Sequence, residues 1–218
     1  MSRNFAKRET KEFNKFRLLC QKMVCTFVLN LCLRMYYRIE CKGIENLEKE
    51  EKFILASNHI SNWDPFILAG ILNKTPLAFM AKKELFEKFF SRTIMDWCGA
   101  FAVNREKVEV ATLKTALSLK NTSWNLGIFP QGTRQKFGSM VNVNKGFATL
   151  AKATKTNILP IAIIKKENNN RKILPFLNRD KIIIKIGNSI PYSDNVDDML
   201  QQWINSINKL IGIENVTN

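Results

Sequence analysis

Apolar residues along this 218-residue chain fall into two rhythms. Short apolar stretches that read as candidate strands occur at Tyr37 to Cys41, Phe53 to Ala56, Leu77 to Met80, Phe101 to Val103, Leu126 to Phe129, Ile158 to Ile164 and Lys181 to Ile186. Helical spacing fills the intervals near residues 65 to 73, 83 to 97, 106 to 120 and 142 to 155. Val196, Met199, Leu200, Trp203, Ile204, Ile207, Leu210 and Ile211 then repeat at the helical period and predict a terminal helix docked on the core. Strands alternating with helices predict a single α/β domain with a largely parallel (mixed) sheet flanked by helices. Pro160 lies inside the sixth run, and its missing N–H predicts a sheet edge or a bulge there. Glu167 to Lys172 reads as a polar surface loop.

Residues 1–35 are chemically distinct from residues 36–218. Phe13, Phe16, Cys20, Met23, Val24, Phe27, Val28 and Leu31 recur at helical spacing, and Arg3, Lys7, Arg8, Lys11, Lys15, Arg17 and Lys22 surround the start of the stripe. The run Met23 to Leu33 is interrupted by Thr26 and Asn30 and falls short of the roughly 18 to 20 apolar residues of a spanning helix. Arg34 to Arg38 stands where a signal peptide would carry a small-residue cleavage site. The pattern predicts a basic amphipathic helix lying in an anionic membrane surface. A helix packed on the core with a solvated basic face would give the same spacing.

Composition sharpens the list of partners. Lys plus Arg number 34 against 19 for Asp plus Glu, a formal net charge of +15, so the surface attracts phosphate, whether on nucleic acid, anionic lipid or a small substrate. No recognisable nucleic-acid motif accompanies the charge, and the aromatics lie mainly in apolar helices; a basic nucleic-acid-binding protein is the alternative of another class. The cysteines Cys20, Cys25, Cys32, Cys41 and Cys98 have no paired spacing, which predicts reduced thiols facing a cytosol. With one histidine in the chain, a Cys/His metal site is not expected.

That histidine, His59, is the candidate proton acceptor, and Asp64 five residues on is the candidate partner. In a regular helix five residues turn about 500°, leaving the two side chains about 140° apart, so a loop must fold them together. Asp64 before Pro65 also reads as a helix cap. Three further stretches stand at the ends of predicted strands: Gly99 to Arg105, Phe129 to Arg134 and Ile158 to Ile163. In open α/β sheets ligands collect at the carboxyl ends of strands, so His59, Arg105 and Arg134 are expected on one rim.

These stretches, in this order, resemble the four blocks of the glycerolipid acyltransferases, in particular the bacterial 1-acyl-glycerol-3-phosphate acyltransferases. Asn58-His59 with Asp64 matches the first block, and Gly99 to Arg105 the second. Phe129-Pro130-Gln131-Gly132-Thr133-Arg134 matches the third except at Gln131, and Leu159-Pro160-Ile161 the fourth. Ala81 to Leu85 and Lys145-Gly146 also look like the family, and the resemblance runs from Tyr36 to Tyr192.

The resemblance implies acyl transfer from a thioester of acyl carrier protein or coenzyme A, a co-substrate rather than a cofactor, to the sn-2 hydroxyl of lysophosphatidic acid. The product is phosphatidic acid. Glycerol-3-phosphate or another lysophospholipid is the alternative acceptor. His59 would be the base and Asp64 would orient its imidazole. Arg105 and Arg134, with help from Lys82, would grip the acceptor phosphate. Gly132 and Thr133 would shape the turn, with backbone N–H groups within reach of a phosphate or the oxyanion. No metal enters. A lipid substrate implies a monotopic or peripheral protein at the cytoplasmic face of the cell membrane.

Two departures stand out. Gln131 occupies the position of the family's usual glutamate, and Asn104 that of the acidic residue often found before the second-block arginine. Glutamine keeps the shape of glutamate but not its charge, so proton transfer at that position is not expected, and both exchanges leave the arginines freer for phosphate.

Overall fold

The computed structural model describes residues 4–47, 52–104, 109–134, 143–168 and 179–212. Arg3, Arg105, the start of the helix expected over 106–120 and most of the loop at 167–172 lie outside the described residues.

Each of the seven apolar runs is a strand: β1 (Tyr37–Lys42), β2 (Phe53–Ser57), β3 (Leu77–Lys82), β4 (Phe101–Val103), β5 (Asn125–Ile128), β6 (Asn157–Lys166) and β7 (Asp180–Ile186). They form one sheet in the order β1-β7-β6-β2-β5-β3-β4. β6, β2, β5, β3 and β4 run parallel, while β7 is antiparallel to β6 and β1 is parallel to β7, so the sheet is mixed.

β6 is therefore an interior strand, so of the edge or bulge expected at Pro160 the edge is not found, while the pairing toward β7 does break there. A residue's N–H and C=O point to the same side of a strand. The Pro160 carbonyl accepts the Gly187 N–H at 2.9 Å, so its missing N–H also faces that side. There the chain has left the β7 ladder, whose last pair is Ile161 with Ile186, and returns only at the Ile158–Ile190 bridge. The proline removes no hydrogen bond toward β2.

The helices are α1 (Lys15–Phe27), running on through a wider π-type stretch at Val28–Leu33 into α2 (Arg34–Tyr36), then α3 (Ile44–Leu47), α4 (Asp64–Ile71), α5 (Phe89–Trp97), α6 (Val110–Ser118), α7 (Gly146–Thr154) and α8 (Val196–Ile211). The helix expected over 83–97 is broken in two. Lys83–Phe86 forms a 3-10 turn, and Lys88 is extended before α5 begins. α8 opens on Asn195, whose side chain accepts the Asp198 N–H, and closes on left-handed Gly212. Trp203 on α8 ties it to the sheet by donating its indole N–H to the Ala56 carbonyl at 3.0 Å.

Two apolar layers follow from strand alternation. One face of the sheet packs on α6, α7 and α8 through residues such as Phe101, Leu126, Phe147 and Trp203. The other packs on α4 and the N-terminal helix through Leu55, Leu77, Ile161, Ile184, Leu68, Cys25, Leu29 and Leu33.

The change in chemistry near residue 35 is thus not a gap in packing. Gln21 on α1 is buried and donates to the Leu77 and Cys98 carbonyls at 2.6 and 2.7 Å. Upstream, the Phe5 carbonyl accepts the Ala102 N–H beside β4, and Phe13 packs on Trp124. The helix from Lys15 to Tyr36 is 22 residues long, enough by length and composition to cross a membrane, and so longer than the apolar run alone suggests. Its inner side is docked on the domain, while Phe16, Leu19, Met23 and Phe27 on the other side are exposed. An apolar helix that serves two surfaces and one that serves a single surface look alike in sequence.

Charge fixes the docking. Arg8 is buried and bonds Asp96 and Glu12 on one side and the Ala100 carbonyl on the other, while Arg17 bonds Asp96 at 3.0 Å. Burial opposes ionisation of Asp96, but the hydrogen bonds and charges of Arg8 and Arg17 outweigh it, so its carboxyl lies below the ordinary value. A carboxyl depressed in the folded state stabilises fully above its unfolded value, near pH 4, and the contribution is lost as pH falls through the folded value. Urea-denaturation midpoints measured against pH should therefore fall below about pH 4 in the native chain. In Asp96→Asn the midpoint at neutral pH should be lower and the acid limb flatter; an acid limb unchanged by the substitution contradicts this.

Candidate functional site

The loop leaving β2 brings His59 and Asp64 together. His59 Nδ1 lies 2.7 Å from Asp64 Oδ2, and the two residues are 8 % and 1 % exposed. The same oxygen accepts the backbone N–H groups of Ile60 at 2.7 Å and Ser61 at 2.8 Å. A carboxylate oxygen that already takes two N–H bonds acts as an acceptor, so Nδ1 carries a proton and, in the neutral ring, Nε2 is the nitrogen with the lone pair.

Asp64 is the first residue of α4, and it does not cap that helix. The helix opens with no side-chain cap, and the carboxylate is turned back into the loop instead. Of the two readings the sequence leaves open, the loop contact is the one the chain adopts.

Other side chains hold the loop in place. Asn58 mimics a strand neighbour: its amide donates to the Ile163 carbonyl at 2.9 Å and accepts the Ile163 N–H at 2.7 Å, which ties the loop to β6. The imidazole stacks on Phe129, with ring centroids 4.2 Å apart, and Phe129 stacks on Phe79 of β3 at 5.6 Å. Gly127 in β5 makes room for that stack, because a β-carbon there would meet the Phe79 ring at 2.4 Å.

Beyond β5 the chain turns at Phe129–Gly132, closed by the Gly132 N–H on the Phe129 carbonyl at 2.9 Å. Gly132 has φ of +65°, a conformation glycine adopts without strain. The Thr133 N–H bonds the Gln131 carbonyl at 2.7 Å, so both N–H groups expected to face a phosphate or an oxyanion are used inside the turn. Gln131 is buried and turned inward, its Oε1 accepting the His59 N–H at 3.1 Å.

The structure thus assembles His59, Asp64 and Gln131. Thr133 and Arg134 follow on the same turn and are exposed. Lys82 ends β3 on the same rim, exposed, with its ammonium 3.1 Å from Glu84. The contributions of Phe129, Phe79 and Asn58 to holding the imidazole are not evident from sequence reasoning. The one available signal was a glycine inside a buried strand, Gly127. Cys98 packs beside Cys25, whose side chain together with burial pushes the Cys98 thiol well above the ordinary value.

The fold is an α/β domain in which His59, Asp64 and Gln131 stand at the carboxyl ends of parallel strands in a mixed sheet. The chain belongs to the acyltransferase family, whose model, described as Acyltransferase, matches residues 38–164. The chain is 28% identical over 191 residues to the 1-acyl-sn-glycerol-3-phosphate acyltransferase of Streptococcus pneumoniae, covering 83% of this chain and 68% of that protein. The protein of the same name from Bacillus subtilis is 30% identical over 139 residues, 63% of this chain and 68% of that one. That of Pseudomonas aeruginosa is 33% identical over 129 residues, covering 57% of this chain and 49% of its own length. The crystal structure of the 1-acyl-sn-glycerophosphate (LPA) acyltransferase from Thermotoga maritima shares the fold, with a TM-score of 0.65 at 20% identity over 90% of this chain and 77% of that one.

Proposed function

We propose that this protein transfers a fatty acyl group from a thioester of acyl carrier protein or coenzyme A to the sn-2 hydroxyl of 1-acyl-glycerol-3-phosphate, giving phosphatidic acid. The observation that carries the proposal is the buried His59–Asp64 pair, which leaves Nε2 as a base. In the reaction, the acceptor hydroxyl oxygen attacks the thioester carbonyl while Nε2 takes its proton. The tetrahedral intermediate collapses, the C–S bond breaks, and the proton passes from the imidazolium to the departing thiolate. Asp64 stabilises the imidazolium through Nδ1–H. Arg134 and, by the resemblance, Arg105 grip the phosphate, with Lys82 beside them on the rim.

The protein works at the cytoplasmic face of the membrane, lying on it rather than crossing it. Phe89 and Phe90, 75 % and 76 % exposed, open α5 just past the β3 end of the rim that carries His59. The neighbouring helix α1 exposes Phe16, Met23 and Phe27, and Lys15, Lys83 and Lys88 stand exposed beside these residues. An apolar surface with basic neighbours suits an anionic bilayer, and its place near the rim lets acyl chains reach the site from the lipid.

The direct test supplies purified full-length protein with both thioester donors and a panel of glycerol acceptors. Phosphatidic acid should form, and His59→Ala should lower kcat by about 10²-fold or more. A wild-type protein inactive on lysophosphatidic acid, or a His59→Ala variant as active as wild type, contradicts the proposal. Removal of residues 1–35 would also remove core residues, so the membrane surface is tested by point changes. The paired substitution Phe89→Glu and Phe90→Glu should reduce cosedimentation with anionic liposomes while the thermal midpoint is kept; undiminished binding rules this surface out.

A further inference from the structure

We propose that Gln131 is a positioning residue for the catalytic base: its amide oxygen holds the main chain of His59, and its neutrality keeps the imidazole free of a second carboxylate. The inference rests on His59 acting as the base.

Three contacts orient His59, one from the start of α4 and two from the turn after β5. Asp64 Oδ2 sits on Nδ1 at 2.7 Å, the Phe129 ring lies against the imidazole face, and Gln131 Oε1 accepts the backbone N–H at 3.1 Å. The first two set the tautomer and the ring plane. The third sets where the α-carbon stands, and it ties the loop after β2 to the turn after β5.

Gln131 is suited to that task because it cannot move easily. It is buried, and the turn that carries it is closed by the Gly132 N–H on the Phe129 carbonyl and the Thr133 N–H on the Gln131 carbonyl. The Asn144 N–H on the Pro130 carbonyl, at 2.8 Å, pins the same turn from outside. Without the Gln131 oxygen the His59 N–H would be a buried donor with its bond removed, and the loop would shift to find another.

Charge is the second half of the argument. Among the described residues, the groups set against the imidazole are the Asp64 carboxylate from α4 and the Phe129 ring from the β5 turn, with Phe79 of β3 behind it. A carboxylate in place of the Gln131 amide would keep a hydrogen bond to the His59 N–H and add an anion about 3.1 Å from that backbone nitrogen. That anion would favour the imidazolium and raise the pH at which Nε2 becomes a base.

The test compares wild type, Gln131→Met and Gln131→Glu as full-length protein. kcat and KM for 1-acyl-glycerol-3-phosphate are followed from about pH 5 to about pH 9, and the imidazole titration is read directly by ¹⁵N NMR, with one histidine giving one signal set. Gln131→Met should lose about tenfold to hundredfold in kcat with KM for the acceptor within about twofold of wild type. Gln131→Glu should recover most of that kcat at its own optimum, and both its kinetic acid limb and its imidazole titration should move up by about half a unit or more. A Gln131→Met variant with wild-type kcat, or with its loss in KM alone, overturns the proposal. So does a Gln131→Glu titration that superimposes on wild type, which decides the matter alone if Gln131→Met does not fold. An active wild-type enzyme with an unshifted Gln131→Glu titration removes this inference only. Absence of acyl transfer removes the function proposed above, while the titration still decides the electrostatic part.

Discussion

One carboxylate oxygen organises the site. Asp64 Oδ2 gathers Nδ1 of His59 and the N–H groups of Ile60 and Ser61, so a single acceptor bends the chain after β2 and sets which imidazole nitrogen holds the proton. Because the oxygen is buried, those bonds act where water does not compete with them. The loop's shape and the hydrogen bond at Nδ1 of His59 are set by the same oxygen, and both depend on Asp64 opening α4 without capping it.

The rest of the chain keeps that loop where it is. β2 is central in the sheet, flanked by β6 and β5, and both neighbours reach the loop, β6 through a main-chain pair and the turn after β5 through two side chains. Ile163 of β6 meets Asn58, and Phe129 and Gln131 beyond β5 meet His59. Beneath these contacts, two apolar layers and the Arg8–Asp96–Arg17 cluster fasten the N-terminal segment to the domain, so the exposed apolar side of α1 is presented by a rigid support. The exposed apolar side of α1 and the loop that holds His59 are therefore carried by one domain.

Much of this was legible in the sequence, for a physical reason. Strands buried on both faces are nearly continuous apolar runs, as in β2, while β1 at the edge shows itself by alternation, and all seven were readable in one of these ways, as was the lone His59 with Asp64. Strand order was not, because nothing local in Tyr37 to Lys42 says that β1 will pair with β7 at the far end of the chain. Pro160 pointed to an edge or a bulge, and the chain takes an interior strand whose pairing breaks on one side only, because the missing N–H is a property of one side of the strand. The inner side of α1 was hidden by its outer side, since Cys25 and Leu29 continue the same apolar spacing as Met23 and Phe27. Gln131 was visible as a departure from a family pattern, but its partner is a main-chain N–H 72 positions away, and a main-chain contact leaves no mark on composition.

The account stands or falls on the protonation state of one ring, and a chain with a single histidine lets that ring be observed alone. In protein carrying ¹⁵N-histidine, the neutral form should show a protonated Nδ1 with a strongly downfield proton and an unprotonated Nε2. Asp64→Asn should lose that downfield signal. A neutral His59 protonated at Nε2, or a spectrum that Asp64→Asn leaves unchanged, would contradict the arrangement on which everything else here is built.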